Sequence, residues 1–251
     1  MNSQAPTGLG TLRQNYDDYT PEDFGVWKVL FERQYALVGN VIAREYREAI
    51  KAIGFKAEEI PRISRIDEAL SATTGWKTIV VPGIIPDREF FQLLASKQFP
   101  ATTWLRRKDQ LDYLEEPDMF HDVFGHIPLL TDRHYTDFLE GLGELALEYI
   151  DNAEAIETIT RIYWYTIEFG LKREEGKLRI FGAGIVSSMG ESKYCMRAEQ
   201  PPTKHDFSVQ GMIDRPFRKD IFQDHYYVTS GYDEMFESLG ELRSVLKAQY
   251  S

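Results

Sequence analysis

Glu115-Glu116-Pro117-Asp118-Met119-Phe120-His121-Asp122-Val123-Phe124-Gly125-His126-Ile127-Pro128 sets two histidines five residues apart, beside acidic residues, in otherwise apolar company. The pattern reads as half of a metal site. On a continuous α-helix, at about 100° per residue, the two imidazoles would diverge by about 140°. A broken helix is therefore expected. Gly125 provides a flexible step before the second histidine and Pro128 disfavours helix at Ile127, which would leave His121 on a last turn and His126 just past it. The third ligand has to come from elsewhere in the chain.

Composition limits what surrounds such a site. The 251 residues suit one domain, large enough to bury roughly 70 to 75% of its unfolded surface, so a closed internal pocket is possible. Residues 1–18 are polar and contain glycine, and read as a loose lead-in to a single domain over 19–251. With 29 Lys and Arg against 40 Asp and Glu, the formal charge of -11 repels phosphate backbones and anionic membranes. Neither nucleic acid nor a membrane is an expected partner. A single cysteine, Cys195, rules out an intrachain disulfide and fits a reducing compartment. Residues 1–10 lack the basic start and apolar run of a secretory signal, and no apolar run approaches the ~18 residues of a membrane span, so a cytoplasmic location is expected.

Helical spacing dominates the chain. Thr20 with Asp23 makes a capping signal, Pro21 takes the first helical position, and Phe24, Val26, Trp27, Leu30, Phe31 and Tyr35 recur at helical intervals. Further helices are expected over 41–52, 61–72, 87–97, 132–151, 154–173 and 233–248. Short strands are expected near 78–81, 178–181 and 226–228, a rigid apolar loop over 82–86 and irregular backbone through the glycine-rich 181–188. No repeat, low-complexity tract or dividing linker is present, and the fold class is mainly α with a few short β-strands.

The missing ligand should be an acid on an aromatic, otherwise apolar helical face, where a carboxylate is costly unless paired or bound to metal. Glu168 meets that description in Arg161-Ile162-Tyr163-Trp164-Tyr165-Thr166-Ile167-Glu168-Phe169-Gly170, one turn after Trp164. Two histidines and one carboxylate, with positions left open on one face, suit non-haem Fe(II) that activates oxygen. Other readings stand beside this one. Glu168 could pair with Lys172 one turn later, Arg106 with Arg107 and Lys108 could be a solvated basic patch, and Trp164, Phe90 and Phe99 could be plain core. His134, His205 and His225 show no ligand spacing.

The chain resembles the catalytic domain of the pterin-dependent aromatic amino acid hydroxylases, most closely the bacterial phenylalanine 4-monooxygenase type. The resemblance rests on Glu116-Pro117-Asp118 with the two histidines, on residues 162–171, and on residues 181–188 with Gly190-Glu191. Weaker similarity runs from about Tyr19 to Tyr232. It implies a single catalytic domain without the regulatory and tetramerisation segments of the animal enzymes, and a monomer. It also implies Fe(II) held by His121, His126 and Glu168, with O2 and a tetrahydropterin as co-reactants in hydroxylating a free aromatic amino acid.

Carried over by position, the resemblance puts Arg106 on the substrate carboxylate, a task that suits a planar bidentate donor. Ser187 would help place substrate and a histidine ligand. Trp164 and Phe99 would flank the substrate ring, Gly83, Ile85 and Phe90 would hold the pterin, and Tyr163 would lie at the mouth of the iron site. Two positions depart from the family. Asp122 stands where members usually carry Glu against the pterin, one methylene shorter, and Leu114 stands where some members place Thr near the substrate backbone. A tryptophan hydroxylase of the same family, a zinc hydrolase and a non-catalytic binder of metal or aromatic ligands are the competing functions.

Overall fold

The Thr20 hydroxyl accepts the backbone N–H of Asp23 at 3.3 Å while the Asp23 carboxylate accepts that of Thr20 at 2.7 Å, so two otherwise unpaired donors are satisfied and a helix can start. The computed structural model describes residues 10–112, 114 and 116–250. In chain order its helices are α1 (Pro21–Val38), α2 (Arg44–Ile53), α3 (Ile63–Thr73), α4 (Asp87–Leu94), α5 (Arg133–Glu148), α6 (Ala153–Tyr163), α7 (Ala183–Val186), α8 (Met189–Met196), α9 (Val209–Ile213) and α10 (Tyr232–Tyr250). The expected lead-in falls partly outside the described residues, which begin at Gly10. Within its described part, the Gln14 amide donates to the Pro61 carbonyl at 2.9 Å and the Tyr16 hydroxyl to that of Ile60 at 3.0 Å, so this stretch is tied to the domain from Gln14 onward.

Among the described residues six short strands complete the fold: β1 (Lys77–Val80), β2 (Gln98–Ala101), β3 (Leu171–Glu174), β4 (Lys177–Ile180), β5 (Thr203–Asp206) and β6 (His225–Thr229). β1 and β2 pair in parallel, with Lys77 opposite Gln98 and Val80 opposite Ala101. The other four form a sheet in the order β4-β3-β6-β5, antiparallel between β3 and β4 and parallel elsewhere. The strands sequence patterning does not reveal carry little apolar signal. β5 is Thr-Lys-His-Asp, and β2 includes Pro100, which is tolerated because it lies in a two-stranded sheet.

Two expectations need correction. The helix expected over 154–173 stops early: α6 gives way to a wide turn, Trp164–Glu168, and residues from Leu171 onward are strand, with Leu171 opposite both Ile180 and Val228. The glycine-rich 181–188 is not irregular throughout, since it contains α7. The first correction removes the alternative reading in which Glu168 pairs with Lys172. Lys172 is on β3, its ammonium 2.7 Å from Glu45 and 3.4 Å from Glu174.

The core gathers around the residues that carry the histidines. Trp27 and Phe31 of α1 meet Phe120 and Phe124 edge to face, each pair at 5.5 Å, and α5 packs between α4 and α10. Each such ring taken out of water contributes on the order of 1.5–3 kcal/mol. Lys172 crosses from the sheet to α2 and is 7% exposed. Lys172→Met should therefore lower the unfolding free energy by about 1–3 kcal/mol, by stranding the Glu45 carboxylate. Urea denaturation followed by circular dichroism reads this directly, and an unchanged midpoint would mean that the sheet and α2 do not depend on this pair.

Candidate active site

Phe120–His126 winds as a π-helix, in which each turn closes over five residues rather than four. Residues five apart then lie one above the other, so His121 and His126 face the same way without any break. The expectation of a broken helix is thus corrected: the turn is widened. Pro128 does not end the helix either; it opens a 3-10 stretch, Ile127–Thr131. The widened turn is held from behind. Phe120 and Phe124 stack at 4.7 Å with 10° between their planes, and the Tyr46 hydroxyl donates to the Phe124 carbonyl. Gly125 serves close approach rather than flexibility, because a Cβ there would lie 3.2 Å from the Ala183 Cβ and carbonyl oxygen of α7.

Glu168 arrives by the same device. Trp164–Glu168 is a second π-turn, shown by the Phe169 N–H reaching the Trp164 carbonyl at 2.9 Å. Its last residue is pressed against the start of α7: a Cβ on Gly182 would lie 2.5 Å from the Glu168 carbonyl oxygen. α7 is therefore wedged between the two wide turns.

The three side chains converge. His126 Nε2 lies 3.2 Å from Glu168 Oε1, His121 Nε2 3.6 Å from Glu168 Oε2, and the two Nε2 atoms are 3.1 Å apart. Such separations match donors that share one ion about 2.1 Å away. The tautomer of His121 follows from its neighbour. The Ser187 hydroxyl has one proton and donates it to the Ala183 carbonyl at 2.7 Å, so at 2.9 Å from His121 Nδ1 it must accept. The ring proton is then on Nδ1, and the Nε2 lone pair is free to bind metal. Burial pushes the His121 imidazole down to about 4. Burial would raise Glu168, but the two imidazoles and the hydrogen bond from His126 outweigh it and hold the carboxyl at about 2. At neutral pH His121 and Glu168 are therefore in the protonation states that bind a cation, and the donor set fits a mid-series divalent ion.

These residues open onto a cavity of about 830 Å³. Gly83, Ile85, Phe90, Phe99, Arg106, Leu114, Asp122, Tyr163, Trp164 and Ser187, the positions singled out in the sequence, all line it. Phe99 packs on the His126 ring at 4.8 Å and Phe90 meets Tyr163 edge to face at 5.3 Å. Burial and the neighbouring Glu168 carboxylate push the Tyr163 hydroxyl well above its ordinary value. Arg106 is not a solvated patch. It is 8% exposed, its Nε and Nη2 donating to the two Asp118 oxygens at 2.9 and 2.8 Å. Asp122 Oδ2 accepts the backbone N–H and hydroxyl of Thr102 at 2.7 and 2.8 Å, and burial pushes its carboxyl up to about 7.

Several participants escape sequence reasoning. Asp118 is visible in its motif, but its grip on Arg106 is not. Thr102, Phe217 and Gln223 carry no local pattern: Thr102 and Gln223 reach the cavity only through tertiary packing, Gln223 accepting the Trp164 indole N–H at 3.0 Å, and Phe217 stacks on Trp164 at 4.3 Å. His205 and His225 do meet, at 3.0 Å across β5 and β6, though no third metal-binding side chain joins them among the described residues.

Residues 14–251 match the family model described as biopterin-dependent aromatic amino acid hydroxylase. The phenylalanine-4-hydroxylases of Ralstonia nicotianae and Chromobacterium violaceum are each 40% identical over 228 residues, which span 91% of this chain and 72% and 76% of theirs. The crystal structure of the C. violaceum enzyme with bound iron(III) and 7,8-dihydrobiopterin superposes with a TM-score of 0.89 at 38% identity, covering 96% of this chain and 87% of that one. With its two wide turns, three converging ligands and matching residues along nearly its whole length, the chain belongs to the biopterin-dependent aromatic amino acid hydroxylase family.

Proposed function

We propose that this protein is an iron- and tetrahydropterin-dependent monooxygenase that hydroxylates L-phenylalanine to L-tyrosine with O2. The observation that carries the reading is the convergence of His121, His126 and Glu168 on one side of an aromatic-walled cavity, in a chain 40% identical to phenylalanine-4-hydroxylases. Iron and the reduced pterin, when bound, supply the electrons that split O2, so that one oxygen atom enters the ring and the other leaves on the pterin.

The remaining work is orientation. His121, His126 and Glu168 hold the metal, with Ser187 keeping the His121 lone pair directed inward. Arg106 offers the substrate carboxylate its Nη1 side, since Asp118 occupies Nε and Nη2 and keeps the guanidinium flat. Trp164 and Phe99 bound the slot for the ring. Gly83, Ile85 and Phe90 receive the pterin, and Asp122, with Oδ2 taken by Thr102, turns its other oxygen to it. Tyr163 shields the mouth of the metal site from water. We read the protein as a cytoplasmic monomer. No helix among the described residues is long and apolar enough to cross a membrane, and the exposed large apolar side chains are few.

The deciding experiment supplies Fe(II), O2, a tetrahydropterin and phenylalanine and follows tyrosine and oxidised pterin by chromatography. Tyrosine formed only with pterin is the expected result. Hydroxylation without pterin would overturn the mechanism, hydrolysis of an ester or amide with zinc would favour the hydrolase, and ligand binding without turnover would favour the binding module.

Metal retention gives a separate check. About one Fe(II) per chain should bind, and His121→Ala, His126→Ala or Glu168→Ala should each abolish binding and turnover. Because the His121 imidazole takes up a proton only near pH 4 and Glu168 only near pH 2, protonation of these two ligands should begin to release iron only as pH approaches 4. Loss centred near pH 6.5 in an equilibrium dialysis series would assign the first protonation to an imidazole of ordinary basicity.

Arg106→Lys keeps the charge but loses the planar fork. KM for phenylalanine should rise substantially, and truncating one partner of such a buried pair costs about 2–5 kcal/mol. An unchanged KM with lowered thermal stability would confine Arg106 to its pairing with Asp118.

A further inference from the structure

We propose that Gln223 is a positioning residue for substrate choice, a single amide that fixes Trp164 and the 218–221 loop together as one wall of the cavity. The proposal rests on reading that cavity as the pocket for an aromatic amino acid. Gln223 is 5% exposed, and both polar ends of its side chain are engaged. Oε1 accepts the Trp164 indole N–H at 3.0 Å, while Nε2 donates to the carbonyls of Arg218 at 2.8 Å and Ile221 at 3.2 Å. Its backbone N–H donates at 3.1 Å to the buried Glu191 carboxylate, which also accepts the Tyr226 hydroxyl. The amide is thus anchored from behind before it grips anything in front.

The Trp164 ring needs such a grip. Its faces meet Phe217 at 4.3 Å, nearly parallel, and Phe169 at 4.6 Å, tilted by 38°. Stacking restrains a ring against tipping but leaves it free to slide and turn in its own plane, because the attraction is spread over the whole face. A hydrogen bond at the ring edge removes that freedom. The indole N–H is a donor only, and Gln223 is the acceptor it finds here. Lys219, between the two gripped carbonyls, lines the same cavity with its ammonium 6.0 Å from the Trp164 ring centroid. Releasing the amide would therefore loosen the indole and the loop at once, and with them the width of the slot that separates a phenyl ring from an indole substrate.

The test uses the full chain carrying Gln223→Met, Gln223→Glu, Trp164→Phe and the Gln223→Met/Trp164→Phe double substitution. In zinc-loaded protein labelled with 15N-tryptophan, the indole signal lost in Trp164→Phe identifies Trp164 among the four tryptophans. That signal should shift and exchange faster in Gln223→Met but stay hydrogen-bonded in Gln223→Glu, which keeps the acceptor. With iron and pterin, Gln223→Met should raise KM for phenylalanine about threefold to tenfold. It should change kcat less and raise kcat/KM for tryptophan relative to phenylalanine. In the Trp164→Phe background the same change should leave that ratio where it is. An unmoved indole signal, or a full additive effect on the ratio without Trp164, overturns the proposal. If Gln223→Met does not fold, Gln223→Glu decides: it should raise KM through the lost carbonyl contacts with the indole signal retained, and an unchanged KM overturns it. A parent chain that binds phenylalanine without turnover would refute the enzymatic reading alone, since the indole signal and calorimetric affinities still test Gln223.

Discussion

Two imidazoles five residues apart share one side of an unbroken helix here because it closes its hydrogen bonds over five residues, and such a turn is rarely stable alone. Here the widened turn 120–126 has an aromatic back and a polar front. Phe120 and Phe124 stack on each other and lean on Trp27 and Phe31, so ring–ring contacts worth about 0.5–1.5 kcal/mol per pair add to simple burial. The front is then free to present His121 and His126 to the cavity. The second wide turn, which delivers Glu168, meets the first through α7. Gly125 abuts Ala183, Gly182 abuts Glu168, and Ser187 just beyond α7 returns to the His121 ring. One four-residue helix thus sets the distance between all three donors.

Asp118 joins the histidine-bearing turn to Arg106. Its carboxylate is fully buried and takes four donors: the Arg106 backbone N–H, Nε and Nη2, and the backbone N–H of His121. A buried carboxylate with that many partners is held in one place, and it holds both neighbours in turn. Through it, Arg106 and His121 cannot shift independently. The orientation that a ring hydroxylase needs is built into the wall before any substrate enters.

Much of this was legible in the residues. Helices with one apolar face, such as α1 and α10, announce themselves by spacing, and Thr20 with Asp23 marks the start of α1 within a residue. His121, His126 and Glu168 stand out because polar ligands are conspicuous in apolar surroundings. What spacing could not reveal was the winding. The same residues read at 3.6 per turn required a break that the aromatic packing makes unnecessary. The alternative pairing of Glu168 with Lys172 falls for a similar reason: on a continued helix Lys172 would lie one turn from Glu168, whereas on β3 it reaches Glu45 of α2. Thr102 and Gln223 were invisible because each meets its partner, Asp122 and Trp164, only after the chain has folded back over 20 and 59 residues.

The widened turns also put a constraint on heredity. A π-turn is an α-helix holding one residue more than its neighbours, so loss of a single codon between His121 and His126 would return the turn to ordinary winding, leaving the imidazoles four apart and about 40° out of line and disturbing the turn's packing on α7. Most of the surrounding core could survive that change. Substitutions along this segment can drift by small steps, whereas a change in its length moves a ligand and the packing on α7 together.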